Sequence, residues 1–157
     1  MVLLDAGGTL IYMPRGPEEI LRELLGRLGV SITPEQAVLA CLQSEKFYAE
    51  NYLSHTGDPG DFWLRFHGEA LRSLDIDDPT GEKAAFLSHA FGQAEVWTAF
   101  PEAADVCEQL LAMGFRLGVV SNGPTTVPDM LSQAGLGAYF EMVVTSQGAG
   151  VEKPDPR

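Results

Sequence analysis

The apolar positions change rhythm along the chain, and each change marks an element. Val2 to Leu4 is a continuous apolar run that reads as a short buried strand. From Pro17 the spacing turns helical. Glu18 and Glu19 form an acidic first turn, Ile20, Leu21, Leu24, Leu25 and Leu28 mark one face, and Gly29 ends it. Thr33-Pro34-Glu35-Gln36 is a capping-box signature for a second helix, with Val38, Leu39, Leu42 and Phe47 as its apolar positions. The turn-rich stretch SHTGDPGD precedes a third helix carrying Phe62, Trp63, Phe66, Ala70 and Leu71. DIDDPTGE is another break, and a fourth helix follows around Ala84 to Phe91.

After Trp97 the pattern changes. Pro101 to Met113 reads as a helix closed by Gly114, and Phe115 to Val120 as a buried strand. A further helix, about Thr126 to Gln133, stops at Gly135, and EMVVT is another strand. Strand, helix and strand at this spacing predict a parallel sheet with crossover helices. The expected fold is therefore α/β, with a core of residues 1–13 and 98–157 interrupted after its first strand by a helical block, residues 14–97.

A chain of 157 residues can bury one good core, and 45% hydrophobic with 20% charged residues is ordinary for a globular protein. The net charge of −12 argues against nucleic acid or an anionic membrane as partner. No apolar run approaches the ~20 residues that span a bilayer, and no basic segment precedes an apolar stretch at the N-terminus. Cys41 and Cys107 lie in helical patterns and read as reduced, buried thiols of a cytoplasmic protein. His55, His67 and His89 have no metal-ligand spacing.

Ligands of a parallel sheet gather at the carboxyl ends of its strands. Three polar clusters fall there: Asp5, Ser121-Asn122-Gly123, and Lys153 in GAGVEKPDP. Each alone is an ordinary turn or a solvated lysine. Together, in this order, they supply a carboxylate nucleophile, a hydroxyl and amides to hold an anion, and an ammonium to offset charge. Phosphoryl transfer needs those parts, because its catalysis is mainly positioning and electrostatics. A nucleophile elbow is excluded, since Gly-x-Ser-x-Gly requires glycine where Val119 sits.

Asp5-Ala6-Gly7-Gly8-Thr9-Leu10, Ser121-Asn122-Gly123 and Lys153-Pro154-Asp155-Pro156 resemble the first three motifs of the haloacid dehalogenase (HAD) superfamily. The helical insertion is similar to the cap of its α-helical-cap subclass, as is Trp97-Thr98-Ala99-Phe100-Pro101-Glu102 leading towards LGVVSNG. The resemblance implies a Rossmann-like core with an inserted cap and hydrolysis of a small phosphorylated metabolite. Asp5 would be the nucleophile and Lys153 would orient it. Asp5 and the Gly7 backbone carbonyl would bind magnesium (Mg2+). Ser121 and the amide of Asn122 would hold phosphate oxygens, and Gly8 and Thr9 would shape the loop.

Two departures leave other readings open. Phosphatases of this family carry a second aspartate at the position of Gly7 that protonates the leaving group, help worth ~10²–10⁴-fold in rate. Dehalogenases lack it, expel halide and need no metal, so carbon–halogen hydrolysis is one alternative. The other is a non-catalytic binding module. The family's fourth motif, an acidic loop, is absent from the 157 residues, so the metal site is expected to be incomplete. The bare sheet edge is expected to be covered by a second copy or by a further C-terminal segment.

Overall fold

The computed structural model describes residues 1–55, 58–93 and 96–156, apart from the side chains of Leu53 and Pro59. Thr56 and Gly57 of the expected turn between the second and third helices, and Arg157, lie outside the described residues. In chain order the elements begin with β1 (Val2–Leu4), β2 (Ile11–Tyr12), α1 (Pro17–Arg27), α2 (Pro34–Asn51), α3 (Pro59–Ser73) and α4 (Glu82–Phe91). They continue with β3 (Thr98–Ala99), α5 (Ala103–Ala112), β4 (Leu117–Ser121), α6 (Val127–Gln133), β5 (Met142–Thr145) and α7 (Ser146–Ala149). The chain divides into two compact units, residues 1–14 with 92–157, and residues 15–91.

The first unit is α/β. Its sheet runs in the order β1-β4-β5, all parallel, with Leu4 level with Val119 and Ser121 level with Thr145. The carboxyl ends of all three strands therefore share one edge. Leu117 and Val119 are fully buried with Cys107, Leu131 and Leu136 from the flanking helices and loops. Apolar burial here supplies on the order of 25 cal/mol per Å². β4 starts two residues later than the apolar run suggests, because the Phe115 amide still closes α5 by donating to Leu110 O at 3.1 Å.

A second, two-stranded sheet has no counterpart in the sequence reading. β2 pairs antiparallel with β3, Ile11 opposite Ala99, and the Tyr12 and Phe100 rings lie 4.7 Å apart. Gly92, Gln93, Val96 and Trp97, expected in the helical block, stand with the α/β unit. Thr126 Oγ1 donates to Gly92 O at 2.6 Å, and Trp97 packs against the core.

The second unit is all helical. The capping box at Thr33 is complete: Thr33 Oγ1 accepts from Gln36 N, and Gln36 Oε1 accepts from Thr33 N. The apolar face of α2 is not where the sequence suggests. Leu39 and Leu42 are 60% and 57% exposed and Val38 is exposed too, whereas Ala37, Ala40 and Ser44 are buried. Apolar residues fill every side of AVLACL, so periodicity could not choose. The small side chains face inward, and Ser44 Oγ donates to Phe66 O of α3 at 2.9 Å. Phe62 anchors the interior at 1% exposure, with the Phe47, Tyr52 and Trp63 rings at 5.4, 5.4 and 5.5 Å.

Candidate active site

Asp5 stands one residue beyond β1, at the carboxyl edge of the sheet. Its Oδ1 accepts the Ala6 amide at 2.9 Å and the Lys153 ammonium at 2.9 Å. Oδ2 accepts no hydrogen bond among the described residues. The carboxylate is thus pinned through one oxygen while the other accepts no hydrogen bond, an arrangement that would suit a nucleophile. Both side chains are accessible, Lys153 41% and Asp5 45% exposed. An ion pair this open contributes roughly 0–1 kcal/mol to stability, so its value lies in orientation.

Lys153 reaches Asp5 across 148 residues of chain because two further contacts hold it. Its ammonium donates to Val120 O at 2.6 Å. Its backbone is clasped by one side chain: Asn122 Oδ1 accepts from Lys153 N at 2.7 Å, and Asn122 Nδ2 donates to Lys153 O at 3.0 Å. The sequence reading gave the amide of Asn122 to a phosphate; its side chain is committed to the Lys153 backbone, and its own backbone amide stays available for that task.

Ser121 ends β4 and is buried, and the turn after it is held from α7. Ser146 Oγ donates to Gly123 O at 3.4 Å, Gln147 N donates to the same oxygen at 3.3 Å, and Thr125 N donates to Gln147 Oε1 at 2.9 Å. A Cβ at Gly123 would come within 2.9 Å of Val127, so this close approach requires glycine. Ser146 and Gln147 escaped the sequence reading, because nothing in their order marks them as supports for a distant turn.

The Asp5 loop closes on itself: Ala6 O accepts from Leu10 N at 2.8 Å and Ile11 N at 3.1 Å, and Gly8 N donates to Ile11 O at 2.9 Å. Gly8 has φ +74°, which a side chain resists, and Thr9 is exposed at the tip. Gly7 is different. Its φ is ordinary, and a Cβ there would meet the Trp97 ring at 3.8 Å, normal van der Waals contact. Register explains the neighbour: Gly7 bridges to Ile11, Ile11 pairs with Ala99, and Trp97 lies two residues before it.

The donors that the resemblance offers to magnesium are Asp5 and the Gly7 carbonyl; the carbonyl accepts no backbone hydrogen bond among the described residues. No three His, Cys, Asp or Glu converge there or elsewhere among the described residues. One carboxylate oxygen and one carbonyl fall short of the near-octahedral, carboxylate-supported shell that magnesium demands, so these residues alone do not fit it.

The sequence pattern of the haloacid dehalogenase-like hydrolases matches residues 1–157. The chain belongs to this family. It is 29% identical over 161 residues to haloacid dehalogenase-like hydrolase domain-containing protein 3 of Danio rerio, covering 99% of this chain and 66% of the relative. It is 28% identical over 158 residues to glyceraldehyde 3-phosphate phosphatase of Methanopyrus kandleri, covering 99% and 65%. The fold matches the solved HAD-hydrolase YfnB of Bacillus subtilis bound to magnesium, with TM-score 0.74 and 18% identity, covering 97% of this chain and 65% of that one. The chain spans about two thirds of the length of these proteins, and about half or less of some other curated relatives. Among the described residues no helix is long and apolar enough to cross a membrane.

Proposed function

We propose that the chain carries the nucleophilic half of a phosphatase of a small phosphorylated metabolite. The observation that supports this most is Asp5, with Oδ1 held by Lys153 and Ala6 N and Oδ2 left to attack. In this reading Oδ2 forms a bond to phosphorus while the bond from phosphorus to the leaving oxygen breaks, its electron pair departing with that oxygen. Water then attacks phosphorus and releases phosphate and Asp5. Ser121 and the amides after β4 receive the phosphoryl oxygens, and Lys153 offsets negative charge and keeps Oδ2 aimed.

Residues 15–91 serve as the cap that excludes water and selects substrate. Magnesium remains the cofactor expected from the resemblance, with ligands needed beyond Asp5 and Gly7. The free thiols Cys41 and Cys107 agree with a cytoplasmic location.

The test is phosphate release from a panel of phosphorylated metabolites, with magnesium, by the full-length protein and its Asp5→Asn variant. Turnover that falls at least about 10³-fold in the variant supports the reading. Phosphate that binds without turnover gives the chain to a binding module. Halide released from a 2-haloacid without metal gives it to carbon–halogen hydrolysis.

A further inference from the structure

An in-line displacement places the leaving oxygen on the side of phosphorus opposite Asp5 Oδ2. The Lys153 ammonium is bonded to Asp5 Oδ1 and Val120 O, so it is engaged with the nucleophile and not free to serve the leaving group. The α/β unit contains no histidine, since His55, His67 and His89 all lie between residues 15 and 91. Among the described residues the hydrogen-bond partners of the Asp5 carboxylate are the Ala6 amide and the Lys153 ammonium, and no acid is bonded to it.

On the Asp5 loop itself, Gly8 is held to glycine by its φ of +74°, but Gly7 is not. A Cβ at position 7 fits against Trp97 at ordinary contact distance. The fold would accept a side chain there. The missing acid is therefore a chemical property of this loop and not a demand of its backbone.

We infer that this site acts on phosphates whose leaving group departs as a stable anion without a proton, namely aryl and acyl phosphates in preference to alkyl phosphates. The inference rests on the phosphatase reading above. In the first step the Asp5 Oδ2–phosphorus bond forms and the phosphorus–oxygen bond breaks, releasing phenolate or carboxylate. In the second, water attacks phosphorus and passes its protons to solvent. That step also lacks a local base, so the phosphorylated Asp5 accumulates.

The experiment compares kcat/KM for 4-nitrophenyl phosphate, acetyl phosphate and ethyl phosphate in the full-length protein and in Gly7→Asp, with Gly7→Ala as the control for bulk. The wild type should prefer the aryl and acyl substrates by roughly 10²–10⁴-fold, and 4-nitrophenolate should appear in a burst of about one per site. Gly7→Asp should raise ethyl phosphate turnover about 10²-fold or more and change the aryl substrate by less than tenfold, while Gly7→Ala gains nothing. Ethyl phosphate turned over within tenfold of the aryl substrate by the wild type overturns the inference and leaves the phosphatase reading intact. No turnover of any of the three overturns both. Should Gly7→Asp fail to fold by circular dichroism, the wild-type series and the burst still decide.

Discussion

The two units hold their important residues in different ways. In the α/β unit the candidate site residues are positioned through backbone: Asp5 by the strand before it, Ser121 by the strand it ends, and Lys153 by the Asn122 clasp on its own main chain. In the helical unit, order comes from side chains. Rings cluster around Phe62, small residues bring α2 against its neighbours, and the imidazole of His67 is buried in stacking contact with Phe91 at 5.1 Å. A frame set by hydrogen-bond register can keep reactive atoms near one another while nearby sequence varies. A packed helical interior can change shape through a few side chains, which suits a surface that selects substrates.

The largest test of that contrast is Phe62→Ala. Emptying this site should cost about 3–5 kcal/mol in the helical unit. Hydrogen exchange should accelerate in α2 and α3 and stay slow in β1 and β4. Equal acceleration in both units would show that they unfold together, and the contrast would fail.

Next in size is acid. Burial pushes His67 down to about 4 from an ordinary 6.5. Between those values the unfolded chain binds a proton that the folded chain refuses. The stabilisation is complete above pH ~6.5 and is lost as the pH falls towards 4, by about 3 kcal/mol in all. Urea midpoints across that range should show the slope, and His67→Phe should flatten it. An unchanged slope in the variant would assign the acid sensitivity elsewhere.

Asn122→Ala sharpens the other side of the comparison. Losing both bonds to the Lys153 backbone should lower kcat about 10–100-fold, corresponding to ~1–3 kcal/mol, with little change in Tm. A large fall in Tm at unchanged kcat would make Asn122 a folding residue. The smallest effect belongs to Arg116→Ala. Its ion pair with Glu141 lies on the surface, so Tm should stay the same within error.

Much of the α/β unit was legible because strand ends and turns leave local marks. Asp5, Ser121 and Lys153 each follow an apolar run, and the topology brings those ends to one edge. The Thr33 capping box was legible for the same reason, since its partners lie three residues apart. The face of α2 was not legible, because AVLACL is apolar on every side and its neighbours chose the small residues. The β2–β3 pair was too short to give a period.

The sequence by itself determined that a carboxylate, a hydroxyl turn and a lysine follow three parallel strands in that order, because chain order and hydrophobic period are local properties. Tertiary structure decided the rest. Only folding shows that the Asn122 side chain clasps the Lys153 backbone, that Asp5 is held through one oxygen, and that Gly7 lies beside Trp97. These depend on contacts between residues 31 to 148 positions apart, and side-chain hydrogen bonds at that separation leave no periodic trace in the chain.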